Sequence, residues 1–534
     1  MRKSQTATAV ALFLATVSLA AVPHVLHAAA KDQKSDASSS SSSSSDDDDD
    51  KSIADQITKA TATAPVTEKS SVTSHSVTIK GRKIDYKATA GTLTIRDDDG
   101  KPTASVFYVA YTANPGAHRP VTFLYNGGPG SASLWLHMGS FGPVRVTTSS
   151  PEATGPAPYT YGPNDESLLD KTDLVFIDAI GTGYSRPLGD TKGDTFWGVD
   201  EDADAFARAI TRYVSLNDRW NSPKFLFGES YGTTRSANLV NVLQGQGMDF
   251  NGVILLSSIL NYGIEQPGYD IGYIAYLPSY AATAWYHDKL ANKPADLPAF
   301  VDEVRAFAAG PYAAALAKGH NISDDEKQAI AQKMSQYTGL SVDFILKCDL
   351  RIDLDRFQKE LLRDQHETVG RYDSRFMGVD SDDAGEGPDY DASDVGINSV
   401  FASSLRAYLS SDLNYKTDMD YRLGAYTDDS FKWNWKHNPA QGYGQEMPDV
   451  AIDLGAAMRQ NPHLKLLSVN GYYDMATPFF ATEYDIAHIP MKPATVKNIT
   501  FKYYPSGHMI YLNPEALTSL VGDLDTFYDQ AAPQ

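Results

Sequence analysis

Lys224-Phe225-Leu226-Phe227-Gly228-Glu229-Ser230-Tyr231-Gly232-Thr233 is the stretch that decides the architecture. Its first four residues read as a buried strand, Thr233 to Gln244 carries a helical pattern, and Ser230 falls at the turn between them. A serine pushed out of so sharp a turn needs small residues two positions before and two after it. The strand and helix backbones pass there without room for side chains, and Gly228 and Gly232 supply the gap. The following helix turns its positive end toward the serine. The segment fits a nucleophile elbow, with Ser230 as candidate nucleophile.

Outward from the elbow, compact apolar runs alternate with helical stretches: Val121 to Tyr125, Leu174 to Asp178, Phe225 to Phe227, Val253 to Leu256, Leu464 to Val469 and Ile499 to Tyr504. Such alternation predicts a largely parallel sheet covered on both faces. Ahead of it, β-branched residues between Val72 and Ala110, broken by Gly and Asp turns, predict an antiparallel start. From Asn261 to Asp449 the rhythm stops, and helical patterns such as Pro298 to Ala309 and Asp324 to Tyr337 take over. The expected class is therefore α/β, with a mostly parallel central sheet and a largely helical cap insertion. Its parts are a sheet domain over 66–260, a cap over 261–449 and the rest of the sheet domain over 450–534. The acidic stretch Asp380, Asp382, Asp383 and Glu386 reads as a solvated loop, because Ala384 stands where a calcium loop needs an oxygen ligand.

An elbow serine calls for an acid and then a histidine, each in a loop after a strand. Leu464 to Val469 leads into Asn470-Gly471-Tyr472-Tyr473-Asp474, and Thr500 to Tyr504 leads into Ser506-Gly507-His508-Met509. Asp474 and His508 are accordingly the candidate orienting acid and general base. Tyr125-Asn126-Gly127-Gly128-Pro129-Gly130 follows another strand pattern, and its glycines let backbone N–H groups approach a reacting oxygen, as an oxyanion hole requires.

Asn126-Gly127-Gly128-Pro129-Gly130, Gly228-Glu229-Ser230-Tyr231-Gly232, Asn470-Gly471-x-x-Asp474 and Gly507-His508-Met509 together resemble the four signature segments of the serine carboxypeptidases. Asp178 and Gly181-Thr182-Gly183-Tyr184-Ser185 are similar to the strand and loop between the first two. The likeness runs from about Pro120 to Asn513 and is weakest in the expected cap. It implies an α/β-hydrolase fold in which Ser230 attacks a peptide or ester carbonyl, His508 moves the proton and Asp474 orients the imidazole. It further implies that the N–H groups of Gly128 and Tyr231 hold the oxyanion and that Asn126, Gly127 and Glu229 bind a substrate's terminal carboxylate. A carboxylate lies against Glu229 only if a proton is shared, so a raised Glu229 pKa and a preference for acidic pH are expected. The sequence departs from the family pattern at three points: Ser140 stands where a second glutamate precedes Gly-Pro, Tyr125 replaces the usual tryptophan, and the single Cys348 rules out the family's disulfides. These departures point to a divergent bacterial branch.

The 46 basic and 67 acidic residues give a formal charge of -21, which argues against nucleic acid or an anionic membrane as partner. Residues 1–30 read as a secretory signal: Arg2 and Lys3, an apolar run from Ala9 to Val22 too short for stable membrane insertion, then Ala28 to Ala30. Residues 31–65 form a Ser/Asp-rich leader whose composition predicts disorder, and Asp46 to Lys51 resembles a processing protease's cleavage site. A secreted or periplasmic location is expected. The chemistry requires no cofactor and no metal, and nothing in the sequence fixes the oligomeric state. An esterase or acyltransferase would use the same triad, because serine chemistry fixes the acyl step and not the acceptor. A noncatalytic binding protein on a hydrolase scaffold is the third reading, which the four intact segments disfavour.

Overall fold

Alternating Ser and Thr with Val and Ile makes Ser70–Ile79 (β1) a half-buried edge strand. Its hairpin to Arg82–Arg96 (β2) turns on Lys80 and Gly81, whose φ values of 47° and 74° are those of a two-residue type I′ turn. The computed structural model describes residues 64, 66–113, 118–266 and 268–532. The expected signal and leader lie outside the described residues apart from Ala64.

The remaining strands of the central sheet are Pro102–Ala113 (β3), Val121–Tyr125 (β4), Asp173–Ile177 (β5), Lys224–Ser230 (β6), Gly252–Ser258 (β7), Lys465–Gly471 (β8) and Ile499–Tyr504 (β9). They lie in the order β1-β2-β3-β5-β4-β6-β7-β8-β9, with the short strand Arg186–Pro187 paired to β3. The first pairings are antiparallel and every pairing from β5 to β9 is parallel. The chain steps from β4 outward to β5, then crosses back to lay β6 on the other side of β4. The connections leaving β4 and β6 therefore diverge, which opens a crevice at their carboxyl ends. Tyr125 pairs with Gly228, so the loops after both strands start side by side at that crevice.

The principal helices are Val199–Leu216 (α1), Tyr231–Gly245 (α2), Ile271–Tyr286 (α3), Leu297–Phe307 (α4), Asp324–Thr338 (α5), Asn398–Ser411 (α6), Ala451–Gln460 (α7) and Pro514–Ala531 (α8). Phe123, Val175, Leu226, Val253, Leu255 and Leu466 project into a core shared with α1, α2 and α7. Their strand neighbours Leu124, Phe176, Phe225, Phe227, Ile254 and Leu467 project into a second core with α6 and α8. Burial on both faces explains why these strands read as unbroken apolar runs. This is the α/β-hydrolase arrangement.

Val121–Tyr125 and Ile499–Tyr504 have the expected limits, and the other strands differ from theirs by one to three residues, the largest at β6, which runs on to Ser230. β5 starts at Asp173, where the carboxylate is buried but accepts from Arg119 Nε at 2.7 Å, Arg219 Nη1 at 2.6 Å and Ala113 N at 3.1 Å. Between β7 and β8 the chain builds a third apolar cluster, in which Tyr280 of α3, Val301 and Val304 of α4 and Met334 of α5 meet Tyr472, Tyr473 and Phe479. Its departure and return are zipped together: Val450 N donates to Leu260 O at 2.9 Å, and Tyr262 N to Pro448 O at 3.0 Å. The acidic stretch is a solvated loop at Asp382, Asp383 and Glu386, which are exposed, while Asp380 Oδ2 is drawn in by Lys359 Nζ at 2.5 Å with both side chains buried. Among the described residues, no helix is long and apolar enough to cross a membrane.

Candidate active site

Ser230 ends β6 and immediately precedes α2, with φ 60° and ψ -131°. A non-glycine residue there is strained, and the surroundings hold it in place. A Cβ added to Gly228 would lie 2.1 Å from Gly232 O, and one added to Gly232 would lie 2.8 Å from Tyr125 O. Thr233 Oγ1 donates to Ser230 O at 2.7 Å, and Ser236 Oγ to Gly232 O at 2.9 Å. Tyr125, the residue in place of tryptophan, is fully buried and its hydroxyl meets Ser236 Oγ at 2.8 Å.

One contact under the elbow was not legible in the motifs. Arg235 of α2 is buried, pairs with Asp202 of α1 through Nε at 2.6 Å and Nη2 at 3.2 Å, and donates through Nη1 to Asn126 O at 2.8 Å. This side chain ties the elbow helix to the glycine loop after β4. That loop lies flat on the helix N-terminus: a Cβ on Gly127 would sit 2.3 Å from Tyr231 N. Gly128 follows with φ 109°, a conformation natural to glycine. Asp178 Oδ1 accepts from Ser133 N at 2.8 Å, and Ser133 Oγ in turn accepts from Asn126 N at 3.2 Å, which fixes the loop from its other side.

Asp474 and His508 come together as the spacing predicts. His508 Nδ1 donates to Asp474 Oδ2 at 2.9 Å. The other carboxylate oxygen accepts from Ala476 N and Thr477 N, each at 2.9 Å, so the acid is fixed before it orients the imidazole. Ser257 Oγ donates to His508 O at 2.7 Å, while the adjacent Ser258 pairs with Ser230 across β7 and β6. His508 Nε2 is buried and makes no hydrogen bond among the described residues, so Ser230 and His508 are not hydrogen-bonded in this arrangement. Burial opposes a charge on His508, but the carboxylates of Asp474 and Glu229 outweigh it and hold its pKa above the ordinary value.

Glu229 is 2% exposed. Burial lifts its carboxyl to a pKa of about 7 against the opposing pull of His508, Tyr511 and Asn126, with Asp474 adding to the rise. Ser140, expected opposite it, is buried and gives its hydroxyl to Leu136 O, one turn back in its own helix. Asn126 is also committed in part, since its Oδ1 accepts from Leu136 N at 2.9 Å. The inserted segment walls the site. Ala425 N donates to Gly130 O at 2.7 Å, Ala132 N donates to Leu423 O at 2.9 Å, and Trp433 packs edge-on against Tyr231 with centroids 5.1 Å apart. Tyr372 accepts from His508 N at 2.6 Å and lays its ring 5.1 Å from the imidazole. His437 closes the wall, bridging Asp200 Oδ1 at 2.6 Å through Nδ1 and Asp453 Oδ2 at 2.8 Å through Nε2. Burial works against its charge, yet the two carboxylates raise its pKa to about 9.

Residues 79–504 match the family model described as serine carboxypeptidase. The chain belongs to the serine carboxypeptidase family. It is a serine carboxypeptidase-like hydrolase by family and fold. The match ends at Tyr504, ahead of the loop that carries His508. No curated protein matches the sequence. Among solved structures, the chain is similar to a proline iminopeptidase of Mycobacterium smegmatis at 15% identity and TM-score 0.36, covering 83% of this chain and 98% of that one. It is similar to a putative aryl esterase of Burkholderia cenocepacia at 12% identity and TM-score 0.33, covering 83% and 100%. A monoglyceride lipase variant of Saccharomyces cerevisiae gives 13% identity and TM-score 0.34, covering 83% and 95%.

Proposed function

We propose that this hydrolase is a serine-type carboxypeptidase that removes C-terminal residues through an acyl-enzyme. The observation that carries the reading is Glu229: a carboxyl buried next to Ser230, with a pKa near 7. Below that pH it holds a proton, and a protonated carboxyl can donate to a substrate's terminal carboxylate where an ionised one would repel it. Asn126 and Gly127 complete the subsite. Ser230 Oγ attacks the last peptide carbonyl, its proton passes to His508 Nε2, and the N–H groups of Gly128 and Tyr231 stabilise the oxyanion by roughly 3 to 4 kcal/mol per donor. His508 returns the proton to the departing amine. Water then cleaves the acyl-enzyme by the same route, and the charge on His508 is balanced throughout by Asp474.

Glu229 and His508 act on each other electrostatically. With one proton between them, an anionic C terminus arriving beside Glu229 draws that proton to Glu229 and leaves His508 neutral. A carboxylate-bearing substrate would thus set the protonation that its own cleavage needs.

A second reading, esterase or acyltransferase, is favoured by Ser140: its hydroxyl is spent on Leu136 O, so it offers the subsite no second acid. The deciding experiment compares a blocked dipeptide bearing a free terminal carboxylate with its amidated twin, from about pH 4 to 8, using the wild type and Ser230→Ala. Cleavage of the free acid alone, falling as pH rises through about 7 and absent in Ser230→Ala, is expected. Equal cleavage of both substrates without that fall would replace the carboxypeptidase reading with the esterase one.

A further inference from the structure

A buried carboxyl needs hydrogen-bond partners, and the partner of Glu229 comes from an unexpected direction. Tyr511, in the short 3-10 turn Ile510–Leu512 after the histidine loop, directs its hydroxyl to Glu229 Oε2 at 2.9 Å and Oε1 at 3.2 Å. The phenol is fully buried, and burial together with the neighbouring Glu229 pushes its pKa well above the ordinary value, so it stays a donor at any working pH. Its ring occupies space that only glycine leaves open: a Cβ on Gly139 would lie 2.6 Å and 2.8 Å from two of its ring carbons. Gly139 adjoins Ser140, whose own hydroxyl goes to Leu136 O. The segment that lacks a second carboxyl is thus the segment that admits the phenol. The titratable groups acting on Glu229 are His508, Asp474 and Tyr511, with the Asn126 amide beside them.

We propose that Tyr511 is a specificity-determining positioning residue of the carboxylate subsite, whose phenol takes the place of a second acid, aims Glu229 and governs how readily Glu229 shares a proton with a substrate's terminal carboxylate. This rests on the carboxypeptidase reading above. The donor favours the ionised form of Glu229, so it limits how far burial raises the carboxyl and confines free-acid cleavage to the acidic side. A phenol donates but cannot hold a proton for the substrate in the way a second carboxyl would, which leaves Glu229 as the single proton donor of the subsite.

The test is Tyr511→Phe, which removes one oxygen and keeps the ring, alongside Gly139→Ala, which leaves both partners intact and displaces the ring. In either variant the pH at which free-acid hydrolysis falls should rise by about one unit, the size expected on losing a hydrogen bond to a charged group. The amidated twin should remain uncleaved in both variants, as in the wild type. The infrared band of the protonated Glu229 carboxyl, identified by its loss in Glu229→Gln, should titrate later by the same amount. A wild type that discriminates free acid from amide, with both the hydrolysis midpoint and the band unmoved in the variants, overturns the assignment of Tyr511 alone. A wild type indifferent to the terminal carboxylate overturns the carboxypeptidase reading and this assignment with it.

Discussion

His437→Gln isolates the latch that holds the inserted segment against the sheet domain. The imidazole sits between Asp200 of α1 and Asp453 of α7, and its pKa rises from an ordinary 6.5 to about 9. At about 1.4 kcal/mol per unit, the charged latch is worth roughly 3 kcal/mol to the folded state. Because the folded pKa lies above the unfolded one, this stability is fully present below about pH 6.5 and is lost as pH climbs through about 9. Glutamine can hydrogen-bond one carboxylate but brings no charge. Urea unfolding followed by tryptophan fluorescence should therefore show the variant less stable by about 3 kcal/mol near pH 6, with the gap closing toward pH 10. A gap of the same size at both ends would refute the reasoning, since it would mean that shape and not charge accounts for what His437 does.

Three further outcomes follow from the site. Asp474→Asn should lower kcat on an activated ester by about 10⁴-fold with KM little changed, because an amide no longer favours the tautomer with a proton on Nδ1; a loss under about tenfold would count against the triad. Gly127→Ala drives a methyl toward Tyr231 N at 2.3 Å, so steady-state kinetics should show kcat reduced by about 10² or more while circular dichroism is unchanged. Asp202→Ala leaves Arg235 buried without its carboxylate and should cost about 3 to 5 kcal/mol in urea unfolding; a cost below about 1 kcal/mol would show that Arg235 is satisfied by the Asn126 carbonyl alone.

The central sheet was readable because strands buried on both faces leave uninterrupted apolar runs, and the elbow because its glycines are demanded by backbone distances. Asp474 and His508 were readable from their place after strands in a known order, and the ion pair between their loops follows. Arg235 and Tyr511 were not readable, for a shared reason. Each acts through a contact between two elements that no motif ties together, Arg235 with Asp202 and Tyr511 with Glu229, and no local pattern distinguishes a helix arginine or a loop tyrosine that does so. Ser140 illustrates the converse: its place in the chain was correct, but its partner is the carbonyl four residues back in its own helix.

The zipped neck at Leu260–Tyr262 and Pro448–Val450 lets the intervening residues grow or shrink without changing the order of any strand, because the two chain ends they join are already neighbours. That freedom stops at a few points. Tyr372 accepts from the backbone of His508, Arg371 O accepts from Met475 N next to the acid, and the stretch from Leu423 to His437 is bonded to the glycine loop, α1 and α7. Descendants of this chain can lengthen or shorten what lies between those points, and so change which peptides reach the serine. They cannot delete the whole segment and keep the histidine where it is.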